Sequence, residues 1–148
     1  MTRINSAIQP KCLTDEHLMA EHREIKRLPY NLKQAVRSGS VNKIPEKFVL
    51  GTGHVLFFVD KQNFLYKRYG EIWNELMDRG FSNITSYFDN WQHGDIDNRY
   101  WNDHTPTQEE HDLLIQRISQ RIMESKKKCW HYRGNRITKE EAIKLLFC

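Results

Sequence analysis

Several features that would announce a familiar chemistry are missing from this 148-residue chain. Its three cysteines, Cys12, Cys129 and Cys148, are odd in number and form no C-x-x-C pair. That argues against a disulfide framework and against a structural zinc site, and it fits a reducing cytosol. Seven histidines are present, yet no H-E-x-x-H or comparable ligand spacing occurs, and His17 and His22 point to different faces of a helix. No metal is expected. A G-x-S-x-G nucleophile elbow is absent. Gly51-Thr52-Gly53 lacks the third glycine and the G-K-[ST] ending of a phosphate loop, which leaves a tight turn as its reading. No stretch approaches the roughly 18 apolar residues of a membrane span, and the opening MTRINSAIQP has no apolar export core. A cytoplasmic protein with no membrane partner is expected.

What is present begins with length and charge. A chain of this size folds as one domain, residues 1–148, with one core. Lys and Arg total 23 against 19 Asp and Glu, a modest net charge of +4. The distribution says more than the sum. Residues 1–50 hold nine basic and five acidic side chains, 51–103 hold five and eight, and 104–148 hold nine and six. Within Arg117–Arg136 seven cations face one anion, Glu124, with Trp130 and Tyr132 among them. Cations mixed with aromatics suit phosphates and bases together, and a solvated tail can have the same composition.

The apolar periodicity is helical. Thr14 or Asp15 can cap a helix through HLMAEHREIKRL with Leu18, Ile25, Leu28 and Leu32 as its buried stripe, bent at Pro29, resuming through NLKQAVR and stopping at Ser38-Gly39-Ser40. Residues 48–59, FVLGTGHVLFFV, read equally as a buried strand or a helical turn. A second principal helix covers Asn63 to Arg79, with Leu65, Tyr69, Ile72, Trp73, Leu76 and Met77 on one side and Gly80 as its stop. Residues 82–106 are irregular, and their aromatics pin the loop to the body. Thr107-Gln108-Glu109-Glu110 has the form of a capping box and opens a third helix bearing Leu114, Ile118 and Ile122, with Arg117 and Arg121 one turn apart on its other edge. A second box, Thr138 to Glu141, precedes a short helix within 137–148. The fold class is mainly α: a compact single domain of three principal helices, long irregular loops and a short extra C-terminal helix.

One short stretch, AEHREIKR at residues 20–27, places a single carboxylate, Glu24, among Arg23, Lys26 and Arg27. An ordinary ion-paired helix face explains it unless a reacting partner comes from elsewhere. The chain terminus is such a partner. Thr2 is small, so Met1 is expected to be trimmed, and an α-amino group with a pKa near 7.7–8 is roughly one-third neutral at about pH 7.5, against roughly 0.1% for an ordinary lysine. That amine can attack a sugar C1′, displace the base and form a Schiff base. Such chemistry calls for a carboxylate that stabilises the cationic sugar and moves protons, and for arginines that hold the flanking phosphates. Spacing by itself does not single out this site, because a threonine at position 2 is common and free termini fray.

A resemblance does. Met1-Thr2-Arg3-Ile4-Asn5, then His17-Leu18-Met19-Ala20-Glu21-x-Arg23-Glu24-x-x-Arg27, then Leu50-Gly51-x-Gly53-His54-Val55-x-Phe57-Phe58-x-Asp60-Lys61-x-x-Phe64-Leu65-x-Lys67-Arg68 and Arg79-Gly80-Phe81 resemble the pyrimidine-dimer DNA glycosylases of the T-even phage endonuclease V family. Beyond residue 81 the likeness is carried by Arg117, Arg121 and Trp130. The resemblance implies a compact helical domain whose N-terminal segment threads between helices to bring the terminal amine to the carboxylate. It implies Thr2 as nucleophile, Glu24 as catalytic carboxylate, and Arg3, Arg23, Arg27, Arg117, Arg121 and Trp130 as DNA contacts, with no metal or organic cofactor. The implied activity is excision of the 5′ pyrimidine of a cyclobutane dimer in duplex DNA, followed by nicking of the abasic strand, by a monomer acting on DNA in the cytoplasm. A glycosylase for another lesion and a non-catalytic DNA-binding protein of the same fold are the alternatives.

Overall fold

The computed structural model describes residues 4–148, so Thr2 and Arg3 lie outside the described residues. Besides short 3-10 turns, the described residues form six α-helices and one small hairpin: α1 (Asp15–Ile25), α2 (Leu28–Ser38), α3 (His54–Phe58), α4 (Gln62–Asp78), α5 (Gln108–Glu124), β1 (Trp130–Tyr132), β2 (Asn135–Ile137) and α6 (Lys139–Leu145). Local signals explain most of the boundaries. Thr14 caps α1 by accepting from the His17 N–H. The first predicted helix is two helices. The break falls at Lys26–Arg27, ahead of the proline, and Pro29 sits in the first turn of α2, where its missing N–H costs nothing. Gly39 ends α2 in the left-handed region at φ 82°. The ambiguous run at 48–59 resolves into a bend followed by the short helix α3.

α1 and α4 pack against each other, and α6 packs on α5. Leu18 and Ile25 of α1, Leu65, Tyr69, Ile72 and Leu76 of α4, and Leu114 and Ile122 of α5 are fully buried. Burying one such aliphatic side chain stabilises by about 1.5–3 kcal/mol. Met77, expected on the apolar side of α4, is 38% exposed at the edge of that stripe. Ile4, Ile8 and Leu13 lie in the same core, so the N-terminal segment is an internal element of the domain. The loop after α4 is held by its aromatics as expected: Trp91 and Phe88 lie 5.0 and 4.8 Å from the Tyr69 ring, centroid to centroid.

Two non-local features depart from expectation. The basic aromatic stretch forms an antiparallel hairpin in which Trp130 opposes Ile137, with a turn at Arg133-Gly134 whose φ angles are 52° and 81°. A left-handed arginine is uncommon. The Asp15 carboxylate steadies it by accepting the N–H groups of Arg133 at 3.0 Å and Gly134 at 2.9 Å. The expectation that the cysteines form no disulfide is also corrected: Cys12 and Cys148 are bonded, with Cα atoms 5.8 Å apart across 136 residues of sequence. Motif spacing reads only cysteines that are close in sequence. The packing of α6 brings this pair together, and Cys129 stays free. No helix among the described residues is long and apolar enough to cross a membrane.

Candidate active site

The site is built along one flank of α1. His17, Glu21 and Glu24 follow one another at one-turn spacing, so their side chains stand in a line along the helix. Glu21 is the innermost of them. Its side chain is fully buried, and it receives two parallel hydrogen bonds, both 2.9 Å, from Nε and Nη2 of Arg68 on α4. The third nitrogen of this guanidinium, Nη1, donates to the Ile8 carbonyl at 2.7 Å. Asn5 Nδ2 donates to the same Glu21 carboxylate at 3.0 Å. A buried ion pair persists only when its remaining hydrogen bonds are satisfied, and here the N-terminal segment satisfies them.

Two further buried groups hold the same segment. The Ser6 hydroxyl donates to Glu110 Oε2, while His104 Nε2 binds Oε1 of the same carboxylate at 2.9 Å. Glu110 therefore does not complete the capping box expected at the start of α5. Thr107 supplies its half by accepting the Glu110 N–H, and the Glu110 side chain turns inward to the N-terminal segment instead. The Ile4 N–H donates to His54 Nε2 at 3.1 Å. Residues 4–8 are thus fixed by side chains from α1, α3, α4 and α5. Asn5 Oδ1, also buried, has no hydrogen-bond partner among the described residues.

Glu24 lies one turn beyond Glu21, with its side chain 21% exposed and Arg27 Nη1 3.9 Å from its Oε1. Arg23 and Arg27 are exposed on either side of it. An exposed pair of that length contributes at most about 1 kcal/mol, so stability does not explain this cluster. Arg117 and Arg121 follow Glu110 by seven and eleven residues, which puts both within about 20° of it on the helical wheel. They continue the edge of α5 that grips Ser6, Arg117 half-buried and Arg121 exposed.

Trp130 is buried against α1. Only 8% exposed, it stacks on the His17 ring with centroids 5.0 Å apart and planes 9° apart. Glu16 accepts the His131 N–H at 2.7 Å, so the first turn of α1 holds both the strand and the turn of the hairpin. Burial pushes the His17 imidazole down to about 4, with the Lys127 ammonium adding to the effect. The unfolded chain binds a proton here near pH 6.5 and the folded chain does not, so stability contributed by neutral His17 is complete above that value and is lost as pH falls toward 4. Urea unfolding of the wild type should weaken by about 2 kcal/mol between pH 7 and pH 5 relative to His17→Gln. Parallel pH profiles for the two proteins would refute this.

His22, beside the cluster, is buried among Tyr69, Trp73 and Tyr87, and burial, with Lys26 and Arg23 adding to it, pushes its imidazole below the ordinary histidine value. The groove next to Arg27, about 630 Å³, sets Lys26, Lys33 and Arg37 against Asp89, Asp95 and Asp97, and its three carboxylates oppose a phosphate track. Among the described residues, no group of three or more His, Cys, Asp or Glu is placed to hold a metal ion.

Sequence reasoning gave Glu110 only a helix-capping role and assigned none to Glu21, Arg68, His54 or Ser6. A signal for two of them was present. Glu21 interrupts the Leu18–Ile25 stripe and Arg68 the Leu65–Ile72 stripe, and opposite charges at core positions of two helices imply a buried pair.

The family model described as pyrimidine dimer DNA glycosylase matches residues 1–89, which takes in α1 to α4 and, of the side chains that hold residues 4–8, His54, Glu21 and Arg68 but not Glu110. The chain belongs to the pyrimidine dimer DNA glycosylase family and is a DNA repair glycosylase.

Proposed function

We propose that the protein is a bifunctional glycosylase and abasic-site lyase for cyclobutane pyrimidine dimers in duplex DNA, working through the α-amine of Thr2 after removal of Met1. One observation carries this reading: residues 4–8 are fastened inside the core beside Glu21, one helical turn from Glu24. Glu24 is about 4.5 Å further along the axis, and the three residues from Thr2 to Asn5 span at most about 10 Å, so the amine can reach the carboxylate. A terminus normally frays, and four buried polar side chains, His54, Glu21, Glu110 and Arg68, that grip residues 4–8 have no purpose in a terminus left free.

In the proposed reaction the neutral amine attacks C1′ of the 5′ nucleotide. The bond from C1′ to the pyrimidine breaks and the base departs with its electron pair, while Glu24 stabilises the positive charge on the sugar. Opening of the sugar ring leaves a protonated imine that acidifies C2′. Loss of a C2′ proton to Glu24 drives β-elimination of the 3′ phosphate, and water then hydrolyses the imine and frees the amine. Arg23 and Arg27 beside Glu24, Arg117 and Arg121 along α5, and Arg3, next to the amine in sequence, supply phosphate contacts. Extruding a nucleotide costs a few kcal/mol, less where stacking is already damaged, which gives selectivity for a lesion. The reading has the protein acting as a monomer, on DNA in the cytoplasm, without metal or cofactor.

Borohydride added to the protein with a duplex carrying a dimer or an abasic site tests the proposal. A covalent adduct that maps to the Thr2 nitrogen supports it. Tight binding with no adduct identifies a DNA-binding protein instead, and an adduct only with other damaged bases identifies another lesion. For the phosphate contacts, Arg117→Ala with Arg121→Ala should flatten the slope of log K against log salt by about 1.8 and weaken all sequences alike. An unchanged slope would remove these two arginines from the interface.

A further inference from the structure

We infer that His54 is a positioning residue for the nucleophile: its imidazole fixes the backbone at Ile4 and thereby aims the amine of Thr2. The inference rests on the reading of that amine as the attacking group. His54 opens α3 directly after the Gly51-Thr52-Gly53 turn, where both glycines have positive φ, 69° and 93°. A Cβ at Gly53 would meet Val49 Cγ2 at 3.3 Å in a left-handed backbone that side chains rarely adopt. The turn therefore folds the chain back tightly enough for the Val49 carbonyl to lie 2.9 Å from His54 Nδ1.

That contact decides the tautomer. A carbonyl oxygen only accepts, so Nδ1 carries the proton and Nε2 is left with a lone pair. The lone pair accepts the Ile4 N–H at 3.1 Å. Both interactions are to backbone, and the ring is 3% exposed, wedged edge-on against Phe48 and Phe58 at 5.4 Å each. Its position is set by packing, and it sets in turn the position of the Ile4 nitrogen. Glu21, Glu110 and Arg68 hold the chain further on, at Asn5, Ser6 and Ile8. Of the described contacts to this segment, the one from His54 is nearest the terminus. A buried N–H outside regular structure needs an acceptor, and this acceptor is also a steering element, because displacement of a reacting atom by about 1 Å can cost about 100-fold in rate.

Two measurements test this. In the wild type, scalar coupling between the Ile4 amide nitrogen and His54 Nε2 should be detectable across the hydrogen bond, with Nδ1 protonated. Its absence, or the opposite tautomer, overturns the inference whatever the enzyme does. In single-turnover borohydride trapping on an abasic duplex, His54→Phe keeps the ring packing without an acceptor. It should bind DNA within about 2-fold of wild type yet form the Thr2 adduct about 100-fold more slowly. His54→Gln, whose amide offers both an acceptor and a donor, should recover most of the rate. A folded His54→Phe that traps at the wild-type rate overturns the inference, and so does a loss of DNA binding in step with the loss of rate, which is what a merely structural role would produce. A wild type that traps nothing at Thr2 is a separate failure. It sinks the nucleophile assignment, and the role of His54 with it.

Discussion

Glu24→Gln should bind an abasic duplex with nearly wild-type affinity and cleave it about 10²–10⁴-fold more slowly. Gln has the size of Glu and keeps its hydrogen-bonding reach, while losing both the charge that would stabilise a cationic sugar and the ability to take the C2′ proton. The fold gives little reason for stability to change. Glu24 is 21% exposed, its ion pair among the described residues is 3.9 Å long, and it sits in the last turn of α1, where the helix dipole disfavours a negative charge. The melting temperature should therefore move by no more than a few degrees. Cleavage by the mutant at the normal rate would remove Glu24 from the chemistry, and a matching fall in DNA affinity would assign it to binding.

Arg68→Met should be the most destabilising of the changes considered, by about 3–5 kcal/mol, because it strands the buried Glu21 carboxylate without a countercharge. For a domain of this size the loss corresponds to a fall in melting temperature of about 10 °C. Replacing both partners, Arg68→Met with Glu21→Leu, should return much of that stability, since well-packed apolar groups can stand in for a buried pair. Activity should not return. The double variant leaves Asn5 Nδ2 and the Ile8 carbonyl without their partners, and the N-terminal segment loses its attachment to α1 and α4. Thermal unfolding combined with trapping on an abasic duplex separates the two effects. A double variant that is both stable and fully active would mean that the pair serves stability alone.

The elements that could be read along the chain are those whose causes are local. Thr14, Thr107 and Thr138 each accept an N–H from the first turn of the helix they precede, and Gly39 ends α2 in a conformation that suits glycine. Apolar side chains spaced at three and four residues mark the buried faces of α1, α4 and α5, because a helix returns to the same side every 3.6 residues. The hairpin at 130–137 escaped this reading for the same reason. Strands of three residues are too short to show alternation, and the turn that joins them relies on Asp15, more than a hundred residues earlier.

The sequence by itself determined the family and the helical class, and it singled out Glu24 and its flanking arginines as candidates, since all of these are carried by residues close together or in recognisable order. Tertiary structure alone decided how the N-terminal segment is held: His54 to Ile4, Arg68 to Glu21 and Ile8, Glu110 to Ser6, and Cys12 to Cys148. These partners lie 47 to 136 residues apart. No periodicity links such distances. Hydrogen bonds and ion pairs reach only a few ångströms, so which groups meet depends on how the helices pack.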